Sequence, residues 1–305
     1  MTGHTWRFML SIVQIDLFQD TVPMRLTSFE PARFIDLERF PLHDLEGHGG
    51  RAFVVRCREE LDDTGACNLQ GFIKDGVFDE VVREAQALCR FGYRKDTKRN
   101  AYFTKDDLSL PSDHPLRAFF SLKMSQVAND VIPNTAAIQQ LYEWDPLTNF
   151  IRHVTGLDRL YRNADPFLAL NLTYLGQGDL QPWHYDHNEF TVTLLLQGAE
   201  SGGEFEYAPR IRSTTDENFE AVKRLFAGTY RDVRTLPRRP GTLTIFKGRH
   251  AMHRVTEVGG NRPRISALLS YDSLPNQVAA DETNVAIYGP RVAAILAAKR
   301  DGQQA

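Results

Sequence analysis

Three residues whose side chains bind transition metals stand out in the sequence. His184 and Asp186 lie two positions apart in the segment QPWHYDHNEF, and His253 follows much later. Because residues two apart on an extended segment project to the same side, an imidazole and a carboxylate can point at one place. Two imidazoles and one carboxylate form a ligand set for Fe(II) that leaves coordination positions open. The sequence therefore predicts a metal site at these three residues.

The third ligand of such a site has to come from a strand that returns beside the first. The segment PGTLTIF, residues 240–246, alternates threonine with leucine and isoleucine after a proline, and this pattern predicts a strand. His253 follows it in the segment GRHAMHRVTEV, and a further predicted strand, RISALLSYD, begins at Arg264. We therefore expect these segments to bring His253 and Arg264 to the pocket of His184.

The order of these residues gives a pattern of H-x-D, a distant histidine and then R-x-S. Because of this pattern, the chain resembles the Fe(II)/2-oxoglutarate-dependent oxygenases, and the resemblance covers roughly Leu168 to Asp272. The segments GGEFEY and HRVTEV are also similar to that family. The resemblance implies Fe(II), 2-oxoglutarate and O2 as cofactors, with His184, Asp186 and His253 as the iron ligands and catalytic residues.

The family pattern also separates the two histidines that compete for the third ligand position. In the family a valine stands two positions after the ligand, as Val255 does after His253. His250, earlier in the same segment, has Met252 at that position. We therefore expect His253 to be the ligand.

A carboxylate at the far end of 2-oxoglutarate needs a cation inside the barrel. Arginine suits this task because its planar guanidinium binds a carboxylate through two donors. Arg264, with Ser266 on the same face, is the preferred candidate, and Arg262 competes with it. Asn171 and Tyr174, from the preceding predicted strand, are further candidates for the cofactor pocket.

Neighbouring segments allow a closer comparison. HNEFTVTLLLQ, GGEFEYAPRIR and PGTLTIFKGRHAMHRVT resemble a subgroup that contains amino-acid halogenases and their hydroxylating relatives. In those halogenases the carboxylate of H-x-D is replaced by glycine or alanine, which opens a position for chloride. Here Asp186 is present, so the resemblance implies hydroxylation of an unactivated C–H bond, with release of succinate and CO2.

The substrate is predicted less sharply than the metal site. Trp183 and His187 flank the H-x-D segment, and Arg210 and Arg212 lie close together in APRIR. Two neighbouring arginines suit a carboxylate or phosphate, which favours an amino acid or a related anionic metabolite as substrate. Each of the four residues also has a structural interpretation, as a packing or solvent-facing side chain.

Three alternative functions remain open at this point. The same oxidising centre supports desaturation or cyclisation as well as hydroxylation. A barrel of this kind can also bind a metabolite or a metal without catalysis. A cupin-like metal isomerase or dioxygenase would work without an oxo-acid cosubstrate.

Composition and charge restrict the possible partners. The chain has 305 residues, of which 42% are hydrophobic, enough for a packed core. Its net charge of −3 gives no reason to expect a nucleic acid or a membrane as partner. The apolar run WRFMLSIVQIDLF is too short to cross a bilayer, and the three cysteines form no C-x-x-C pair. We expect a cytoplasmic protein that acts on a small molecule.

The order of elements predicts an α+β fold with a mainly β core. Helical patterns precede a series of short strands, which is typical of an antiparallel sandwich backed by helices. The resemblance implies a double-stranded β-helix, the jelly-roll or cupin-like barrel. We expect one Fe(II)/2-oxoglutarate dioxygenase domain over residues 1–305, divided into an N-terminal extension at 1–50, helical support at 51–166, a β-helix core at 167–272 and a C-terminal helix at 273–305.

Individual elements follow from apolar spacing and from capping residues. Strands are predicted for AFVV (52–55) and ACNLQGF (66–72), and an irregular loop or lid for 91–111. Helices are predicted around Val77–Leu88, from Asp113 and Pro115 through Val127, from Asn134 through Leu141, from Asp145 to Gly156, from Thr215 to Ala227, and from Pro290 onward.

Overall fold

Antiparallel strands form the centre of the molecule. The computed structural model describes residues 29–237 and 239–303. The strands are β1 (Ala66–Leu69), β2 (Tyr93–Arg99), β3 (Phe120–Val127), β4 (Tyr161–Arg162), β5 (Leu170–Leu175), β6 (Gln181–His184), β7 (Thr191–Gln197), β8 (Ser201–Gly202), β9 (Phe205–Ala208), β10 (Arg234–Thr235), β11 (Thr242–Phe246), β12 (Met252–Val255), β13 (Val258–Gly259), β14 (Arg264–Leu269) and β15 (Tyr271–Asp272).

The longer strands combine into two facing sheets. The larger sheet has seven strands in the order β1-β11-β7-β14-β5-β3-β2, and the smaller has four in the order β10-β9-β12-β6. The short pairs β13-β8 and β15-β4 lie outside them. Apart from β2-β3 and β9-β10, neighbouring strands in these sheets are non-consecutive in sequence, as in a jelly roll. This topology brings segments from distant parts of the chain to one pocket.

Helices cover the outer faces of the sheets. They are α1 (Pro31–Phe34), α2 (His48–Thr64), α3 (Asp75–Leu88), α4 (Ala137–Glu143), α5 (Asp145–Thr155), α6 (Phe219–Phe226), α7 (Asp281–Tyr288) and α8 (Pro290–Gln303). The first five share one hydrophobic core with the larger sheet. In that core the rings of Phe53 and Phe150 stack at 5.2 Å between centroids and join α2 to α5. The main core therefore lies between helices and sheet, outside the space between the sheets.

Alternation along the strands separates this core from an inner, more polar space. On β7, Val192 and Leu194 belong to the helix-side core, whereas Thr191 and Thr193 line the cavity between the sheets. On β6, Trp183 packs in a separate cluster with α6, while His184 faces the cavity. Because side chains alternate across a strand, one face of each sheet is left for chemistry. The predicted helix-backed, mainly β architecture is confirmed.

The predicted strand at AFVV was wrong, because these residues belong to α2. Phe53, Val54, Cys57 and Leu61 are its buried residues, at a spacing that fits one helical face. The acidic residues after AFVV occupy the exposed side of the same helix. Gly65 ends the helix with φ +85°, and β1 begins immediately afterwards.

The prediction for residues 91–127 was also wrong in two places. Part of the expected loop forms β2, and the helix expected from Asp113 and Pro115 is only a short turn followed by β3. Leu122 and Met124 are buried in alternation, and β3 pairs with both β2 and β5. Sheet pairing thus overrides the helical spacing of the apolar residues. The region predicted as helical support contributes three strands to the larger sheet.

Other predicted elements are present with small differences. The α3 and α5 helices are confirmed, and Gly156 ends α5 with φ +71°. The N-cap of α4 is Ala136, whereas Asn134 was expected. α6 begins at Phe219, later than predicted, and α7 was not predicted. The N-terminal apolar run lies outside the described residues.

In the part of the chain that the structure describes, no helix has the length and apolar character needed to cross a bilayer.

Candidate metal centre

Two neighbouring strands of the smaller sheet place the histidines face to face. β6 and β12 run antiparallel, and His184 and His253 are direct partners in their register. Their ring centroids are 4.1 Å apart, and both residues are buried. Cross-strand partners project from the same face of a sheet. The pairing of β6 with β12 therefore brings together His184 and His253, which are distant in sequence.

Asp186 lies in the turn just after β6, where the main chain leaves the sheet. Its N–H donates to the carbonyl of Gly248 at 3.1 Å, and its Oδ2 accepts from the Thr191 hydroxyl at 2.5 Å. Its Oδ1 lies 3.4 Å from His253 Nε2 and 3.8 Å from His184 Nε2. The Gly248 bond thus holds the main chain, the Thr191 bond holds Oδ2, and Oδ1 is left facing both imidazoles.

Backbone carbonyls determine which ring nitrogen of each histidine faces the centre. His184 Nδ1 lies 2.8 Å from the carbonyl of Pro182, and His253 Nδ1 lies 3.0 Å from that of Ala251. A carbonyl only accepts, so the proton belongs on Nδ1 and Nε2 keeps its lone pair. This arrangement is typical of histidines that bind metals. One ligand atom from each of the three residues lies within 4.8 Å of the others.

The electrostatics of the centre favour the protonation states that a metal requires. Burial, together with the charges of His253 and Arg99, lowers the pKa of His184 and keeps its imidazole neutral. Burial alone would raise the pKa of Asp186, but its interactions with His253, His184 and Thr191 outweigh this, and the net shift is downward. A neutral imidazole and an ionised carboxylate are the forms that bind a metal ion.

Arg264 lies in the same cavity as the three candidate ligands. The cavity has a volume of about 60 Å³ and is lined by His184, Asp186, His253, Arg264 and Ser266, among others. Arg264 is buried, and its Nη1 donates to Ser266 Oγ at 2.9 Å. Burial lowers its pKa to about 10, and no carboxylate among the described residues forms an ion pair with it. A buried guanidinium of this kind is suited to a ligand carboxylate.

A larger space adjoins the metal centre at Arg264. This cavity has a volume of about 450 Å³, and Arg264, Phe205 and Leu236 line both spaces. Phe205 and Phe246 flank the His253 ring at centroid distances of 5.4 Å and 5.0 Å. The residues present fit Fe(II) beside a chelating oxo acid, because three donor atoms converge and a cation lies inside the same cavity.

Arg262 and Tyr174 were predicted for the cofactor pocket, but neither lines the cavity of the three candidate ligands, and Arg262 lies at the adjoining larger cavity. Arg262 is exposed and donates to the carbonyls of Gly198 and Ala199 at 3.0 Å and 3.1 Å. Tyr174 is the cross-strand partner of Ile265 and packs against the helix-side core. Tyr174 thus lies on the opposite face of β5 from the cavity.

Asn171 lies on the inner face of β5, where it pairs with Leu268. Its side chain is buried, although it does not line the metal cavity. Thr173, two residues further along the same face, lines the cavity beside Ser266. The residue of β5 that lines the metal cavity is therefore Thr173, and not Asn171 as predicted.

The predicted arginine pair does not face the metal centre. Arg210 donates to the carbonyls of Asp62 and Asp63 at the end of α2. Arg212 donates to the carbonyl of Arg249 and to the Glu217 carboxylate, and its guanidinium lies 3.6 Å from the centroid of the Tyr185 ring. Both guanidinium groups thus have partners within the protein, and neither residue lines the metal cavity.

The remaining candidates divide between core and surface. Trp183 is buried in the cluster with α6 and stacks under the Arg254 guanidinium. His187 is exposed, with its ring 4.8 Å from that of Phe103. His250 lies 3.7 Å from Glu189 and outside the group of three ligand residues. Of these three, His187 contacts Phe103, whose ring lies 6.1 Å from that of His184.

Sequence reasoning missed several residues that shape the site. Thr191 and Gly248 hold Asp186, and the Gln181 amide lies 3.0 Å from His184 Nε2. The threonines of TVTLLL gave a signal, because polar residues alternating with apolar ones mark a strand face turned toward a polar space. Gly248 gave none, since its role depends on a close approach between two loops.

The fold defines a class of protein. It is similar to the non-heme alpha-ketoglutarate-dependent epimerase SnoN from nogalamycin biosynthesis, with 14% identity, 73% of this chain and 83% of that chain covered, and a TM-score of 0.51. AviO1 from Streptomyces viridochromogenes matches with 13% identity, 74% and 97% coverage, and a TM-score of 0.50. An oxidoreductase of the 2OG-Fe(II) oxygenase family from Burkholderia pseudomallei matches with 16% identity, 75% and 92% coverage, and a TM-score of 0.46. The fold of this chain is the double-stranded β-helix, and it carries the His–Asp–His group of candidate metal ligands.

The family within this class follows from the sequence. The model of the Halogenase D family matches residues 50–288, and the chain belongs to that family. No curated protein matches the chain. The predicted double-stranded β-helix fold and the predicted relation to a family that includes halogenases are confirmed.

Proposed function

We propose that this enzyme is a hydroxylase, which uses Fe(II), 2-oxoglutarate and O2 to oxidise an unactivated C–H bond of a small molecule. The proposed substrate is an amino acid or a related anionic metabolite, and succinate and CO2 are the coproducts. The observation that carries the proposal is the position of Asp186, whose Oδ1 lies within 3.8 Å of both histidine Nε2 atoms. A carboxylate there completes the two-histidine, one-carboxylate ligand set.

Each residue has a distinct role in this proposal. His184, Asp186 and His253 hold the iron, and the hydrogen bonds of their outer atoms keep them oriented. Arg264 and Ser266 bind the far carboxylate of 2-oxoglutarate. When bound, Fe(II) and 2-oxoglutarate supply the activation of O2 for C–H oxidation. The aromatic rings of Phe205 and Phe246 restrict water beside His253.

The presence of Asp186 favours hydroxylation over halogenation, although the family model carries the name of a halogenase. A halide that binds iron needs a coordination position, and the carboxylate occupies one. The Thr191 hydroxyl holds this carboxylate and the Gly248 carbonyl holds the main chain of Asp186, so the ligand is anchored by hydrogen bonds as well as by its charge. Halogenation is nevertheless the second candidate, and the same experiment tests it.

The test is a metabolite screen with protein loaded with Fe(II) under anaerobic conditions. Succinate formation is measured after addition of O2, with and without 2-oxoglutarate, and products are analysed by mass spectrometry in chloride and chloride-free buffer. We expect a substrate that stimulates succinate formation and gains one oxygen atom. A chlorinated product from the wild type would contradict the proposal. Oxidation that proceeds without 2-oxoglutarate would favour a different class of metal enzyme.

A further inference from the structure

A buried arginine that the catalytic proposal does not use lies beside the metal centre. Arg99 is the last residue of β2, directly opposite Phe120 of β3. Its guanidinium is buried, and its Nε and Nη2 have no hydrogen-bond partner among the described residues. Burial lowers its pKa to about 10, while the charge of Asp186 acts in the opposite direction. Asp186 itself forms its hydrogen bond with Thr191 and forms no ion pair with Arg99.

The two unpaired nitrogens lie on one edge of the guanidinium. Nε–H and one N–H of Nη2 point in the same direction, at the separation of the two oxygens of a carboxylate. A buried charge without a partner is costly, and the cost is recovered when an anion binds. The geometry of Arg99 is therefore that of a carboxylate-binding site.

A second cation lies on the same face of β2. Lys95 is four residues before Arg99, and its Nζ donates to Gln126 Oε1 at 2.9 Å. Burial first, and then the charge of Arg99, lowers the pKa of Lys95 to about 8. Lys95 is held by Gln126, and the edge of Arg99 that carries Nε and Nη2 is the planar fork of donors that matches a carboxylate.

The turn after β2 places Phe103 between Arg99 and His184. The guanidinium lies 4.6 Å from the centroid of the Phe103 ring, and that ring lies 6.1 Å from His184 and 4.8 Å from His187. Phe103 has φ +58°, a conformation that side chains larger than glycine rarely adopt. Strain of this kind persists only where the surrounding structure enforces it.

Asn100 enforces this turn. It is fully buried, its Nδ2 donates to the carbonyls of Leu116 and Thr104, and its Oδ1 accepts from the N–H groups of Tyr102 and Thr104. Such a set of hydrogen bonds fixes the position of Phe103 relative to Arg99. The pair is thus held in place before any ligand binds, which lowers the entropic cost of binding.

We propose that Arg99 is a specificity-determining residue that binds the carboxylate of the substrate through Nε and Nη2, with Phe103 against the adjoining part of the same molecule. The proposal rests on the function proposed above and names the recognition group that Arg210 and Arg212 do not supply. Substrates of this enzyme carry a free carboxylate, and the oxidised carbon lies on the side of the molecule toward His184.

The experiment measures binding of the proteinogenic amino acids, each as the free acid and as the carboxamide. Protein loaded with Zn(II) and 2-oxoglutarate is titrated by calorimetry, so that the readout does not depend on turnover. The variants are Arg99→Met, Arg99→Lys and, as a control on the exposed side of the same strand, Lys98→Met. Circular dichroism of each variant verifies that it is folded.

We expect at least one free acid to bind the wild type and Lys98→Met equally, and its carboxamide to bind much more weakly. Arg99→Met should lower the binding affinity for this acid by roughly a hundredfold or more, as expected when one partner of a buried ion pair is removed. Arg99→Lys should recover only part of the affinity, because an ammonium lacks the planar fork.

Three outcomes would overturn the inference: an acid that binds Arg99→Met as tightly as the wild type, a carboxamide that binds as tightly as its acid, or no binding by any acid. Metal and 2-oxoglutarate binding by the wild type is measured in the same titrations. Absence of both would contradict the proposed function itself, independently of Arg99.

Discussion

In the proposed function, Asp186 is the residue on which the reaction outcome depends. Its carboxylate faces both imidazoles, and only its other oxygen is held by Thr191. Asp186→Gly removes one of the three candidate ligands, so we expect weaker iron binding and loss of hydroxylation. Opening a position is insufficient for halogenation, because chloride also needs hydrogen-bond donors around it. We therefore expect at most traces of chlorinated product at high chloride, measured by mass spectrometry.

The result that would contradict this account of Asp186 is a wild-type hydroxylation rate in Asp186→Gly. Such a rate would mean that the carboxylate is not an iron ligand. Asp186→Asn is a useful companion, because it keeps the size of the side chain and removes its charge.

Two arginines at the start of the last barrel strand allow a matched test of 2-oxoglutarate binding. Arg264 is buried in the metal cavity, whereas Arg262 is exposed and bound to backbone carbonyls. Removal of one partner of a buried ion pair costs about 3–5 kcal/mol. Arg264→Ala should therefore raise the KM for 2-oxoglutarate by on the order of a hundredfold or more, at about 1.4 kcal/mol per decade.

Arg262→Ala serves as the control and should change this KM little. Initial rates of succinate formation at varied 2-oxoglutarate give both values. A larger effect at Arg262 than at Arg264 would show that the exposed arginine binds the cosubstrate and that our choice is wrong.

Sequence reasoning at the residue scale succeeded where the residue type itself carries the chemistry. His184, Asp186 and His253 could be grouped because their side chains are metal ligands in a recognisable order. Arg99 could not be found in this way, because an arginine in a polar segment has the same appearance whether it is paired or unpaired. Its significance depends on burial and on missing partners, which only the fold determines.

At the scale of elements, the loop between β11 and β12 supports the turn that carries Asp186. A methyl group added at Gly248 would overlap the Asp186 side chain, with Oδ2 as the nearest atom. Gly248→Ala should therefore displace the Asp186 carboxylate from its position facing the two histidines. We expect the affinity for iron to fall by about tenfold or more, which corresponds to about 1.4 kcal/mol of binding free energy. Anaerobic iron titration measures this effect.

Gly76→Ala provides the matched control, because Gly76 lies in the first turn of α3 and a Cβ added there would meet open space. Alanine is the better helix former of the two, so this variant should keep its iron affinity and its fold. Equal iron affinity in the two variants and the wild type would show that the loop does not position Asp186.

The strands of the core were easier to predict than the segments around them. β7 and β11 have β-branched and alternating residues bounded by turn signals, so local pattern and tertiary structure agree. In β3 the apolar residues also satisfy helical spacing, and its two neighbouring strands decide the outcome. α2 shows the opposite error, since a short β-branched run hid a longer helical face.

For the whole molecule, metal binding should couple to stability. The three candidate ligands join β6, the following turn and β12, all in the smaller sheet or at its edge. A ligand that binds only the folded state stabilises it by about 2.7 kcal/mol at a concentration one hundred times its Kd. We expect Zn(II) or Co(II) with 2-oxoglutarate to raise the Tm by several degrees, measured by calorimetry.

The control for this prediction is His253→Ala, which should unfold at the same Tm with and without the metal. An equal metal-induced shift in wild type and His253→Ala would place the stabilising ion at another site. Chelator added to the metal-loaded wild type should restore the Tm of the metal-free protein.

The central claim is that His184, Asp186 and His253 bind the iron to which 2-oxoglutarate chelates. The most direct measurement is anaerobic titration with Fe(II) in the presence of 2-oxoglutarate, followed by the visible charge-transfer absorption of the chelate. The account predicts that wild type and His250→Ala develop this band at one iron per chain, and that His184→Ala and His253→Ala do not. A band that survives in His253→Ala but disappears in His250→Ala would contradict it.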